Sequence, residues 1–247
     1  MQRDTPLLAV LIDADNTSAR WAEAIFEEIA ALGEASVRRI YGDFASPHLK
    51  GWQDRLAGLA LTPHHSPANT IGKNSSDISL AIDAMDILHS GRFDGFVLVS
   101  SDSDFTRLAS RIREQGLDVY GIGQQKTPES FRKACKRFIY IENILSNDEP
   151  AKTAGASTPE AASPAEPARS KEPAKNAIAL VVAAMRAIGG DEDWYSLGQI
   201  GQYITQANPD FDTRTYGSAK LSDLLKKTGR FEVKQGSGNH LMVRDLA

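Results

Sequence analysis

The 247-residue sequence contains one cysteine, Cys135, which excludes an intramolecular disulfide and a cysteine-built zinc site. It has no apolar run of about 18 residues or more, the length needed to cross a bilayer. The opening Met1-Gln2-Arg3-Asp4-Thr5-Pro6 lacks the pattern of a secretory signal. A cytoplasmic protein with no membrane partner is therefore expected. An excess of basic charge is missing too: Lys+Arg 28 against Asp+Glu 32 leaves a net charge of −4. Contact with nucleic acid would have to come from local patches rather than a global field. The GxGxxG, P-loop and GxSxG signatures are also absent. The remaining composition, 41% hydrophobic and 24% charged, is that of a globular protein.

Residues 148–175 are rich in Ala, Pro, Ser, Glu and Lys, with no aromatic residue and no Leu, Ile or Val before Ile178. Such a tract buries too little apolar surface to offset its ordering entropy, which predicts a disordered tether. The expected organisation is a domain over 1–146, a linker over 147–175 and a second domain over 176–247.

In the first domain, strand patterns at 7–12, 36–41, 59–63, 93–99, 117–122 and 138–141 alternate with helical patterns at 18–32, 47–57, 76–89, 105–115 and 128–134. That alternation argues an α/β fold, a parallel sheet with helices on both faces. The second domain reads as helices at 177–188, 197–206 and 216–228, followed by two short strands around the Gly-rich turn 234–239. This is the pattern of a winged helix-turn-helix, a scaffold that serves nucleic-acid binding or protein interaction.

Chemistry concentrates where apolar runs end in acids. Asp13 follows Leu7-Leu8-Ala9-Val10-Leu11-Ile12, with Asp15 and Asn16 just beyond; Asp102 and Asp104 follow Phe96-Val97-Leu98-Val99. In open parallel sheets these positions share the carboxyl-end rim where ligands bind. A third contribution is expected from Gly72-Lys73-Asn74-Ser75-Ser76-Asp77, a polar loop running into a helix. Taken singly, Asp15, Asp104 or Asp77 would serve equally well as a helix cap or first-turn acid. Together they suggest a carboxylate cluster suited to Mg²⁺ or Mn²⁺. Asp83 lies about 240° around the helix from Asp77, which makes it the reserve candidate, and Asp86 reads as a solvated acid. Adjacent His64 and His65 would point to opposite faces of a strand, so they are poor joint ligands.

Clustered carboxylates and a divalent ion suit phosphodiester hydrolysis. On that reading Asp13, Asp102 and Asp104 are metal ligands, and Asp77 binds a second metal or orients the attacking water. Lys73 and Asn74 hold phosphate or sugar, while Asn16 and Ser101 orient the ligands.

The motifs Leu11-Ile12-Asp13-Ala14-Asp15-Asn16, Gly72-Lys73-Asn74-Ser75-Ser76-Asp77, Ile82-Asp83-Ala84-Met85-Asp86 and Val99-Ser100-Ser101-Asp102-Ser103-Asp104-Phe105 resemble the NYN domain. This is a branch of the PIN-like nuclease superfamily that includes the LabA-like proteins. The resemblance implies a PIN-like three-layer α/β/α sandwich and Mg²⁺- or Mn²⁺-dependent ribonuclease activity, with Asp13, Asp77, Asp102 and Asp104 at the family's acidic positions. The second domain resembles an OST-HTH (LOTUS) domain through Trp194-Tyr195-Ser196-Leu197, Asn208-Pro209-Asp210-Phe211-Asp212, the run from Tyr216 to Leu225, and Phe231-Glu232-Val233. That resemblance implies RNA binding and sometimes a protein partner. Lys220, Lys226, Lys227 and Arg230 on the third helix and its end, with Lys234 and Arg244 on the wing, are candidate phosphate contacts. Tyr216 would stack on a base or close the core. The combined expectation is an endoribonuclease acting on single-stranded RNA. A non-catalytic RNA-binding adaptor and a DNA-directed nuclease are the alternatives, and the reading also admits a homodimer.

Overall fold

Leu8 to Ile12 are wholly buried, as befits a strand covered on both faces. They belong to β1 (Leu7–Asp13), the first strand of the unit Met1–Leu145; the rest of the chain, Ser146–Ala247, forms a second unit. The computed structural model describes residues 5–66, 75–145, 171–189, 193–236, 238 and 240–247.

In the first unit β2 (Glu34–Gly42), β3 (Thr62–His65), β4 (Gly95–Val99), β5 (Asp118–Gly123) and β6 (Arg137–Tyr140) join β1 in one parallel sheet of order β3-β2-β1-β4-β5-β6. Parallel neighbours need crossovers, and helices supply them. α3 (Ser75–His89), α4 (Thr106–Glu114) and α5 (Glu129–Ala134) cover one face, burying Leu80, Ala84, Leu108, Ile112 and Phe131. α1 (Ala22–Ala30), α2 (Lys50–Gln53) and α6 (Ile141–Leu145) cover the other with Ile25, Ile29, Trp52 and Ile144. The result is the expected three-layer α/β/α sandwich of PIN-like type, with the strand order reversing between β1 and β4.

Two elements differ from the sequence expectation. The helical pattern at 47–57 forms only a 3-10 turn, Pro47–Leu49, and the short α2. Turns continue through Ala60, whose left-handed backbone (φ 51°) lets the Leu61 amide donate back to the Leu56 carbonyl (2.8 Å). That closure holds off β3 until Thr62, later than the predicted 59–63.

The second unit contains α7 (Ile178–Ile188), α8 (Leu197–Ala207) and α9 (Leu221–Thr228) with a small antiparallel sheet. Its strands β7 (Tyr195–Ser196), β8 (Phe231–Gln235) and β9 (Leu241–Asp245) lie in the order β7-β9-β8. Val181, Ile200, Leu225, Phe231 and Val243 make its core. β7, two residues long, is too short for alternation to reveal. The predicted third helix, 216–228, is interrupted: Thr213–Tyr216 is a 3-10 turn that Gly217 ends at φ 66°, and α9 starts at Leu221. Of the predicted linker, residues 147–170 lie outside the described residues. Within 171–175, the Glu172 amide donates to the Thr215 carbonyl (2.9 Å). Among the described residues no helix is long and apolar enough to cross a membrane.

Candidate metal centre

Asp13 ends β1 one residue past the Ile12–Val99 pairing, so its side chain meets the start of the loop that leaves β4. It is 1% exposed. Its Oδ2 accepts from Ser100 Oγ (2.7 Å) and Asn16 Nδ2 (2.8 Å), and its Oδ1 from the Asn16 amide (3.2 Å). Burial pushes the carboxyl above its ordinary pKa, and these three donors pull it partly back. Asn16 therefore holds Asp13 through its amide and its side chain.

The second orienting residue is Ser100, not Ser101. The Ser100 hydroxyl donates to Asp13 and also accepts from the Asp102 amide (3.1 Å), linking the two acidic loops through one oxygen. Ser101 Oγ instead accepts from the Gln124 amide (2.9 Å) and fastens the loop to the end of β5. The two loops lie so close that a Cβ on Gly123 would stand 2.5 Å from the Ser100 carbonyl oxygen. Ser100→Ala should leave a buried carboxylate short of one donor and the Asp102 amide without its acceptor. A loss of about 1–3 kcal/mol in unfolding free energy is expected. The urea midpoint checks this, and an unchanged midpoint would count against the link.

Asp102 is the N-cap of the turn Ser103–Phe105, its Oδ1 accepting from the Asp104 amide (2.9 Å). Asp104 stands inside the first turn, one of the two positions the sequence left open for it, while the cap itself is Asp102. Asp77 lies in the first turn of α3, and its neighbour Ser76 donates to Asp15 Oδ2 (3.0 Å), joining that helix to the loop after β1. Asp77 is half-buried and its carboxyl is pushed up to about 6, first by burial and then by Asp13, Asp102, Asp104 and Asp15. All four charges acting on it are carboxylates. Asp13, Asp102, Asp104 and Asp15 thus all lie within electrostatic reach of Asp77. The sequence reading named Asp15 but did not count it among the site residues.

Asp83 belongs elsewhere. Its Oδ2 accepts from Arg39 Nη1 (2.9 Å) and Tyr41 Oη (2.8 Å), with His64 Nδ1 3.2 Å away. This network neutralises the reserve candidate and fastens the middle of α3 to β2 and β3. His65 turns the other way, its Nδ1 accepting from the Phe44 amide (3.2 Å). Cys135 is fully buried, its thiol pushed up to about 12 by desolvation, so it is inert as a nucleophile. Lys73 and Asn74 lie outside the described residues.

The donors at this rim are carboxylate oxygens backed by hydroxyl and amide groups, a hard set that fits a divalent cation. Among the described residues no group of three or more His, Cys, Asp or Glu side chains stands close enough to hold a metal ion together. An open set is compatible with a cation that keeps several waters and takes one or two carboxylates directly.

In the second unit Lys220 and Lys226 are exposed. Lys227 Nζ donates to the Gly217 carbonyl (2.7 Å), and Arg230 forms a two-pronged pair with Asp245 (2.8 and 2.7 Å). Tyr216 precedes α9 and packs against Phe211 with ring centroids 6.0 Å apart. Lys234 lies over Trp194 on the wing, 3.6 Å from the ring centroid.

The NYN domain profile matches residues 7–142, and the OST-HTH/LOTUS domain profile matches residues 168–243. Among solved structures, a protein of unknown function from Vibrio parahaemolyticus is 23% identical, covering 57% of this chain and 96% of its own, with a TM-score of 0.48. An uncharacterised protein from Nitrosomonas europaea is 33% identical over 39% of this chain and 93% of its own, with a TM-score of 0.26. No curated protein matches the chain significantly.

Proposed function

Because this chain belongs to the NYN domain family and carries an OST-HTH/LOTUS domain after it, we propose that it is an Mg²⁺- or Mn²⁺-dependent endoribonuclease acting on single-stranded RNA. The observation that carries this reading is the convergence of carboxylates on one sheet rim, expressed in the raised pKa of Asp77. The divalent cation would be held at Asp13, Asp102 and Asp104, by one or two of them directly and by the rest through its waters. When bound, it supplies a water of lowered pKa and neutralises charge on the scissile phosphate. Asp13 offers its carboxylate in an orientation fixed by Ser100 and Asn16. Asp77 orients the attacking water and accepts its proton on a carboxylate oxygen. The second domain contributes affinity: RNA held by it is at high effective concentration for the acids on the same chain.

End-labelled single-stranded RNA incubated with the purified chain tests this directly. Internal cleavage is expected with Mn²⁺ or Mg²⁺ and none with chelator. Binding without cleavage under every metal would support the adaptor reading instead, and faster cleavage of the matching DNA would redirect the substrate.

A further inference from the structure

The wing of the second unit carries an outer face that joins two of the candidate phosphate contacts, Lys234 and Arg244, to an aromatic ring. Along β8 and β9, Phe231, Val233 and Val243 pack into the core. By strand alternation Glu232, Lys234, Met242 and Arg244 therefore occupy the opposite face. The register places Glu232 beside Arg244 and Lys234 beside Met242. Trp194, just ahead of β7, joins them, partly exposed. Lys234 Nζ lies 3.6 Å from the indole centroid and the Arg244 guanidinium carbon 4.9 Å from it. Arg244 also pairs with Glu232, yet its buried Nε has no acceptor.

Two cations lie against one ring, so both charges are at hand for a ligand that stacks there. The face carries a net positive charge from Lys234, Arg244 and Glu232, and Met242 is its one aliphatic side chain. It therefore suits a polyanion better than an apolar peptide. An aromatic ring beside cations is the arrangement that takes an unstacked base on its π-face with the phosphate at the ammonium. Bases in a duplex are not available for such stacking. Lys227 on α9 and Arg230 just past it bond within the domain, and the ring beside Arg230, Phe231, is buried and offers no face to a base.

We propose that Trp194, Lys234 and Arg244, on the outer face of the β7-β9-β8 sheet, form the single-stranded-RNA contact of the second domain. The proposal rests on the reading of that domain as an RNA binder. A base displaces Lys234 from the indole, and the ammonium moves to the adjoining phosphate.

The chain has three tryptophans, and the other two, Trp21 and Trp52, lie in the first unit, so Trp194 reports on the wing. The full chain is titrated with a short oligouridylate in chelator, which prevents cleavage, and tryptophan fluorescence is followed. Quenching is expected in the parent and its loss in Trp194→Phe. Affinity measured by anisotropy of labelled RNA should fall roughly tenfold in Trp194→Ala and in Lys234→Ala, and hardly change in Arg186→Ala, which removes an exposed cation of α7. Lys234 is exposed, so Lys234→Ala tests the surface even if Trp194→Ala fails to fold. Equal affinity in parent and Lys234→Ala, with quenching unchanged in Trp194→Phe, overturns the proposal. No oligouridylate binding by a parent that still cleaves RNA with Mn²⁺ overturns the wing contact and leaves the nuclease reading standing. Neither binding nor cleavage overturns both.

Discussion

Asp102→Asn is expected to slow metal-dependent RNA cleavage by at least about 100-fold while leaving the urea unfolding midpoint where it was. The two halves of this result come from two jobs of one side chain. As a cap, Asp102 accepts from the Asp104 amide, and asparagine caps a helix as well as aspartate does. As the proposed cation ligand it contributes a negative charge, which asparagine lacks. Changing groups that only support a metal ligand costs about 10–100-fold, so neutralising a ligand should cost no less. Asp102→Ala separates the jobs further, because it also loses the cap and about 1 kcal/mol of stability. Cleavage at the parent rate by folded Asp102→Asn protein would remove Asp102 from the site and leave only its cap.

Asp77 gives the second large effect, and its direction runs against intuition: removing the charge should make the protein more stable. The Asp77 carboxyl is pushed up to about 6 in the fold, from an ordinary value of 3.8. Between these pH values the folded chain keeps a proton that the unfolded chain has released. Stability therefore falls as pH rises through that window, and the deficit is complete above it. A shift over that range corresponds to about 3 kcal/mol; with half the side chain in water, about 1 kcal/mol is expected. Asp13, raised by burial, adds in the same direction. Asp77→Asn should thus raise the urea midpoint at about pH 8 and leave it unchanged near pH 4, where the parent carboxyl is protonated in the fold. A bound divalent cation should relieve the same repulsion, adding about 2.7 kcal/mol at 100 times its dissociation constant. That gain should shrink as pH falls. Stability indifferent to Mn²⁺ at pH 8, or an Asp77→Asn protein less stable there than the parent, would contradict this account.

Much of this was legible in one dimension. An apolar run followed by an acid places that acid at a strand end, and parallel topology puts Asp13, Asp102 and Asp104 on the same rim whatever the details. What resisted reading was the choice between near-equivalent neighbours. Ser100 and Ser101 are both hydroxyls past β4, and only the pairing with β1, 87 positions away, decides which one meets Asp13. The isolation of Asp83 follows from its distance around α3, but its partners Arg39, Tyr41 and His64 emerge only when β2 and β3 pair. Arg230 looked available until the wing closed and brought Asp245 to it. The Trp194 cluster depends on three strands, one of them two residues long. In each case the missing information was register, which composition and periodicity do not carry.

The strand order has a consequence in time. β1 lies at the middle of the sheet but is synthesised first, and its neighbour β4 begins only at Gly95. Asp13 and the loop of Asp102 and Asp104 are separated by roughly ninety residues, which a ribosome takes about 5–20 s to add. During that interval the nascent chain gains Asp15 and Asp77 but lacks β4, the strand whose end carries Asp102 and Asp104 to Asp13. On the proposed function, the chain is unable to cleave RNA during that time, and its acidic rim is completed only after most of the first domain has been made.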